Sequence, residues 1–567
     1  MEYEYDPQRI TYFASTDSRN KKTPFGIRAI DRMRHMYVIG KTGMGKSTLL
    51  ENMAIQDIQN GEGLCFIDPH GTTAEKLLEY VPESRIKDVI YFAPFDVEYP
   101  IGFNVMEDVG YDKRHLVVAG LMSSFQRIWV DAWSARMEYI LQNVLFALLE
   151  YPDSTLIDVN RMLINKEFRN KVIEYITDPI VKRFWAEEFV SYTDRYTQEA
   201  TPAIQNKIGQ FASNPLVRNI IAQPKSTFDL RKIMDERKIF IVNLSKGRMG
   251  EQNADLLGSM LTTKIYLAAM SRAEESAQGI AKLPPFYLYV DEFQSVVNDS
   301  FANILSEARK YKLSLTIAHQ YIEQVEENIR AAIFGNVGTT ITFRVGPFDA
   351  ETLKTVFEPT FFVEDIVNLG FAQIYLTLMI DGMGSLPFSA TTLPPVEEPP
   401  VHFVDKIIEH SRATYGRSRT TVEKGIGSID ALLGKGGFEN LNKKKKKKKK
   451  KKSGEPTEQQ GGTAEGASVV QQEKQPATVP PIEEKSREGL RAALAGIIQI
   501  TSEPKATPPS TPQEPPEAEA SSAPVEPAQQ AAPEEKKVDN VEDTTEAKRP
   551  QGEVPRDVLK KLLETEE

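Results

Sequence analysis

The chain of 567 residues is 40% hydrophobic and 26% charged, with a formal net charge of -11, six histidines and one cysteine, Cys65. That length allows two to four domains, one cysteine excludes a disulfide framework, and the scattered histidines form no zinc-spaced cluster. No apolar run approaches the roughly 18 residues of a membrane span, and the start MEYEYDPQRI lacks the layout of a signal peptide. The expected setting is therefore the cytoplasm, or the inner face of a membrane reached through partners.

In chain order, short apolar runs read as strands at MYVIG (36–40), LCFID (64–68), VIYFAP (89–94), IFIVNLS (239–245), FYLYVD (286–291), LSLTIAH (313–319), TTITFRV (339–345) and IYLTLMI (374–380). Amphipathic helical stretches follow most of them, such as STLLENMAIQDI, SEARKYK and DAETLKTVF. This alternation predicts an α/β domain with a mainly parallel sheet and helices on its faces. Between about 108 and 223 the rhythm breaks: RHLVVAGLMSSFQRIW, ARMEYILQNVLFALLEY and PIVKRFWAEEFVSY all carry helical spacing, which predicts an all-α insertion. The expected organisation is an N-terminal segment (1–34), an α/β domain (35–107 and 224–400), the all-α insertion (108–223) and an extension (401–442).

Ten consecutive lysines follow at 443–452, and then a tail, 453–567, with 23 acidic and 12 basic residues and 15 of the 35 prolines. That composition cannot bury enough apolar surface to offset chain entropy, so the tail is expected to be disordered. Short helical patterns at 486–500 and 554–564 read as transient helices or docking peptides. The lysine run suits a polyanion, with strong salt dependence, or a solvated linker.

The chemistry begins at Gly40-Lys41-Thr42-Gly43-Met44-Gly45-Lys46-Ser47, followed by Thr48, a full G-x-x-x-x-G-K-[ST] match between an apolar strand and a helix. Glycines let backbone N–H groups approach phosphates, Lys46 reaches the β- and γ-phosphates, and Ser47 ligates Mg²⁺. The implied ligands are ATP and Mg²⁺. A metal-holding acid and a base are supplied by Asp291 and Glu292, which end the buried run FYLYV. Strand geometry aims Asp291 at the metal edge, and Glu292 can polarise an attacking water. Asp68 and His70 end another strand near the same edge, where a turn-forming Asp-Pro pair accounts for them equally well.

Together GKTGMGKST, FIDPHGT (66–72), VDEFQ (290–294), SEARKYKLSLTIAHQ (306–320) and NVGTTITFRVGPFDA (336–350) resemble the HerA/FtsK-type P-loop DNA-translocating ATPases. The nearest branch is the TraG/TraD-like coupling proteins of conjugation and type IV secretion, over about 26–395. The resemblance implies a RecA-like domain, a hexamer and ATP-driven DNA movement, with a membrane transfer complex or relaxase as partner through the tail. It makes Gln320 a polar sensor of the γ-phosphate and Arg309 a finger acting on the neighbouring subunit's nucleotide; Arg344, flanked by strand residues in TFRVG, reads as a member of a buried pair or as an interface candidate. DNA-contact candidates are Lys246 and Arg248, which follow the strand IFIVNLS, and more weakly Arg127, Arg136, Lys207 and Arg218 in the insertion. The chain lacks the N-terminal membrane helices of most coupling proteins and so is expected to resemble their unanchored members. Two other readings are a HerA/FtsK-like pump in DNA processing or segregation, and a nucleotide-gated scaffold that recruits transfer substrates.

Overall fold

In the run Met36-Tyr37-Val38-Ile39, Met36 and Val38 enter one apolar cluster while Tyr37 and Ile39 enter another. Residues two apart on a strand share a face, so a strand apolar at every position must be covered on both sides. The computed structural model, which describes residues 5–17, 21–298 and 300–432, contains such a sheet. Its strands, with a separate two-stranded hairpin, are β1 (Ile10–Thr16), β2 (Pro24–Arg28), β3 (Met36–Ile39), β4 (Gly63–Asp68), β5 (Val89–Phe92), β6 (Ile239–Asn243), β7 (Phe286–Val290), β8 (Leu313–His319), β9 (Thr339–Thr342), β10 (Gln373–Thr377), β11 (Met379–Ile380), β12 (Met383–Gly384) and β13 (Phe388–Thr392). The eleven-stranded sheet runs β2-β1-β13-β10-β9-β3-β8-β7-β4-β6-β5, and β11-β12 is the hairpin. From β9 to β5 every pairing is parallel; the β10, β13, β1 and β2 side is antiparallel.

Helix Lys46–Gln59 packs on one face, burying Leu49, Leu50, Met53, Ala54 and Ile58. The other face carries helix Glu251–Met270 and the helices between β5 and β6. Chief among the latter are Arg114–Ile128, Ala135–Glu150, Lys166–Tyr175 and Asp194–Ser213. The α/β fold with an all-α insertion that the periodicity predicts is the fold observed. The stretch PIVKRFWAEEFVSY is not one regular helix, because a π-turn at Phe184–Glu188 divides it.

Some elements differ from their sequence patterns. Residues 1–34, expected only to lead into the ATPase, supply β1 and β2. The polar, β-bulged pairing of β1 with β2 and the mixed run FSATT of β13 lack the continuous apolar character that marks buried parallel strands. β9 stops at Thr342, so Arg344 lies past the strand. Beyond Glu307 the helix tightens into a 3₁₀ turn, Ala308–Tyr311, which carries Arg309. Helices Val404–Tyr415 and Arg419–Leu432 form the described part of the extension; the first packs against β5. The lysine run, the tail and its two short patterns lie outside the described residues.

A buried ion pair ties these parts together. Arg32 donates to both carboxylate oxygens of Asp57, at 2.8 and 2.7 Å, and to the hydroxyls of Thr11 and Tyr289. Its guanidinium lies 3.9 Å from the centre of the Tyr287 ring. One side chain thus joins β1, helix Lys46–Gln59 and β7. Breaking a buried pair by removing one partner leaves the other charge uncompensated. Arg32→Ala is expected to lower stability by about 3–5 kcal/mol, read as a shift in denaturant midpoint; a shift below about 1 kcal/mol would mean that the pair behaves as a surface pair.

Candidate functional site

The phosphate loop leaves β3 and enters helix Lys46–Gln59. Gly45 has φ +116°, a conformation that side chains disfavour, and a Cβ on Gly40 would lie 2.5 Å from the Cβ of Phe343. The loop is pinned from behind by Lys41 N–H donating to the Arg344 carbonyl at 2.8 Å. Among the described residues, the backbone N–H groups of Gly43, Gly45, Lys46 and Ser47 donate to no backbone carbonyl. These donors, at the start of a fourteen-residue helix, form a cradle suited to an anion. Lys46 is buried and donates to the carbonyls of Gly40 at 2.6 Å and Lys41 at 3.3 Å. Burial lowers its pKa, while Glu292 and Asp291 oppose the shift.

β8 lies between β3 and β7, with Ile39 beside His319 and Val290 beside Ile317. The loop and the acidic pair therefore emerge at the same end of the sheet. Ser47 Oγ donates to Asp291 Oδ2 at 2.8 Å. Burial raises the pKa of Asp291, an effect opposed by the Ser47 hydrogen bond. A buried carboxylate and a hydroxyl so placed would hold Mg²⁺, a hard cation that takes oxygen ligands. Among the described residues no cluster of three or more His, Cys, Asp or Glu could hold a metal by protein groups alone.

Glu292 occupies a left-handed conformation (φ 46°, ψ 50°), which turns its side chain back towards β8. Gln320 Nε2 donates to Glu292 Oε1 at 2.5 Å, and Gln294 Nε2 donates to Oε2 at 2.6 Å. Thr42 Oγ1 donates to Gln320 Oε1 at 2.8 Å, which closes a chain from the phosphate loop through Gln320 to Glu292. Behind Gln320, the imidazole of His319 meets the Tyr37 hydroxyl at 2.5 Å and the Phe293 ring at 4.9 Å between centroids.

Lys46, Ser47, Asp291, Glu292 and Gln320 thus come together, with Lys41, Thr42, Met44 and Thr48 alongside. Arg309 does not join them in one chain. It is exposed and precedes the opposite end of β8, a strand of seven residues or about 23 Å. Arg344 is half-buried next to the loop, and its guanidinium makes no ion pair among the described residues, so the arginine is not part of a buried pair. Lys246 faces Asp255 at 3.0 Å and Glu251 at 3.5 Å; Arg248 faces Glu75 at 3.2 Å and lies over Phe95. Lys207 lies over Trp129, and Arg127 donates to the Val297 carbonyl. Asp68 accepts from the N–H groups of His70 and Ala74, a turn that starts helix Thr72–Glu79, and the His70 ring is exposed. The contributions that sequence reasoning missed are the Gln294 clamp and the His319–Tyr37 buttress. Only the spacing VDEFQ, with an amide two residues past Glu292, carried a signal for the first.

A parallel sheet with a phosphate loop on one strand, an acidic pair two strands away and a polar residue on the strand between is the architecture of a P-loop NTPase. The chain belongs to the family described as type IV secretion-system coupling protein DNA-binding domain, whose profile matches residues 23–360. DNA translocation is the known role of that family. No curated protein matches the sequence. Among solved structures, the chain is similar to the bacterial conjugative coupling protein TrwBdeltaN70 in its trigonal, sulphate-bound form. Identity there is 14% over 70% of this chain and 97% of that one, with a TM-score of 0.50, a likeness that speaks for the fold. It is also similar to plasmid coupling protein TrwB in complex with ADP and Mg²⁺ (14%, 70% and 98%, TM-score 0.47) and to VirB4 of Thermoanaerobacter pseudethanolicus (13%, 69% and 97%, TM-score 0.47). Among the described residues no helix is long and apolar enough to cross a membrane.

Two buried histidines give the fold an acid limit. Burial, reinforced by the Lys46 charge, lowers the pKa of His319 to about 3, and burial lowers that of His35 to about 4. Both bind a proton more readily when unfolded. The stability they confer is complete above pH about 6.5 and is lost as pH falls towards the folded values. Unfolding free energies measured from pH 7 to 5 should fall, and in His319→Gln the fall should be smaller by about 1 kcal/mol per pH unit. An unchanged slope would show that His319 is not held neutral.

Proposed function

We propose that this chain is a Mg²⁺-dependent ATPase that drives DNA through a type IV secretion apparatus. The observation that carries the reading is the 2.8 Å hydrogen bond from Ser47 to Asp291, which brings the phosphate loop and the acidic pair to one point. Bound Mg²⁺ would neutralise charge developing on the β- and γ-phosphates. Around it, Ser47 and Asp291 provide ligands, and the Lys46 ammonium turns from the Gly40 and Lys41 carbonyls to the phosphates. Glu292 takes a proton from the attacking water, and for this its carboxylate must exchange an amide partner for that water. Gln320, linked to both Thr42 and Glu292, is placed to report the γ-phosphate to the base.

Arg309 enters this scheme only from a neighbouring subunit, which makes turnover depend on assembly, and a hexameric ring is the assembly proposed. Lys246 and Arg248 are proposed to touch DNA phosphates on exchanging their present acidic partners for the polyanion. The acidic tail is the segment proposed to meet a membrane transfer complex or relaxase, with the ATPase held at the inner face of the membrane by such contacts.

Phosphate release measured with and without single- and double-stranded DNA tests the reading. Lys46→Ala should abolish release, and Glu292→Gln should keep ATP binding while slowing turnover by about 10²-fold or more. DNA-stimulated release at wild-type rate in either variant would remove that residue from the mechanism. Arg309→Ala should bind ATP and lose up to about 10³-fold in turnover. In mixtures of Arg309→Ala with Glu292→Gln subunits, activity recovered above that of either variant alone would place the arginine in trans; no recovery at any ratio would argue against it.

A further inference from the structure

We propose that Phe371 is the stacking platform for the nucleobase, an inference that rests on the phosphate-loop assignment made under Proposed function. The order of the sheet gives the site a polarity. On one side of β3 stand β8 and β7 with Gln320, Asp291 and Glu292, so the γ-phosphate and metal end of a nucleotide belongs there. The nucleoside must then extend to the other side, over β9 and β10. β10 runs antiparallel to β9, so its beginning lies at the same end of the sheet as the phosphate loop. It stands two strands from β3, about 10 Å, a span within the reach of a nucleoside triphosphate.

Phe371 precedes β10 at that position. The Ala372 N–H donates to the carbonyl of Met44, within the phosphate loop, at 3.3 Å. The Ala372 carbonyl accepts from Thr392 N–H at 2.9 Å, and Thr392 Oγ1 lies 3.8 Å from where a Cβ on Gly45 would stand. Gln373 Oε1 accepts from Gly370 N–H at 2.8 Å, which closes the turn on its other side, and Ala372 has φ 60°. The turn is thus fastened to the phosphate loop, yet Phe371 is 74% exposed and stacks on no other ring among the described residues. An exposed aromatic face whose backbone is fastened beside a phosphate cradle can stack a base. Stacking uses the π-face rather than the base edge, so ATP and GTP should be held alike.

The test compares the full chain with Phe371→Ala for binding of ATP, GTP and inorganic tripolyphosphate, each with Mg²⁺. The expected result is a loss of about 10-fold in affinity for both nucleotides with tripolyphosphate unchanged, and recovery of nucleotide affinity in Phe371→Trp. Tripolyphosphate weakened in parallel, or nucleotide affinity unaltered, would overturn the proposal. So would a change in oligomeric mass by sedimentation with the ratio of ATP to tripolyphosphate affinity preserved, since that assigns the ring to a subunit contact. Lys46→Ala in the same assay tests the underlying assignment separately, because failure there would leave tripolyphosphate binding intact.

Discussion

The hydrogen bond between Ser47 and Asp291 spans a strand. Its partners leave β3 and β7, which touch only through β8, so the contact exists only if all three strands are in register and end at one level. Parallel pairing meets that condition without special devices, since it brings the carboxyl ends of successive strands to one edge, where an α/β sheet presents its ligand site. The intervening strand then supplies Gln320 between cradle and acids. The chemistry of the site is thus a consequence of strand order, and strand order is maintained by apolar packing on both faces.

Three charged groups at this edge are already engaged. Lys46 is folded onto its own loop, Asp291 holds Ser47, and both oxygens of Glu292 are engaged by amides. In a buried setting an unpaired charge is costly, so these internal bonds keep the site compact. They are also the bonds that phosphates, metal and water would replace under the proposed function. Glu292 shows the cost of the arrangement: its left-handed backbone is unusual for a side chain of its size and is retained where it aims the carboxylate at Gln320.

Legibility in the sequence followed the physics of each element. The parallel strands were readable because burial on both faces forces continuous apolar runs, and the phosphate loop because its backbone demands glycines at fixed intervals. Asp291 and Glu292 could be paired with the loop because an adjacent acidic pair ends a buried run within the same α/β pattern. β1, β2 and β13 were hidden, since antiparallel strands near an edge, with polar and bulged segments, carry weaker patterns. Arg344 looked like a strand residue because TTITFRV is apolar beyond the point where pairing stops. The Arg32–Asp57–Tyr289 network could not be foreseen, because its members are 25 and 232 residues from Asp57 in the chain and only the fold brings them together.

The antiparallel flank also sets what portion of the polypeptide can stand alone. Asn52 donates to the carbonyls of Leu393 and Pro394 and accepts from Val396 N–H, so a strap from beyond β13 clasps the helix that begins at Lys46. The segment shared with the family, 23–360, includes neither this clasp nor β1, β10 and β13. Excised at those limits, it would bare the outer hydrogen-bonding edge of β9 and part of the apolar flank of that helix, an invitation to aggregation. The segment that matches the family and the folded unit are therefore different lengths of chain, and residues from near the amino terminus to Val396 belong to the second.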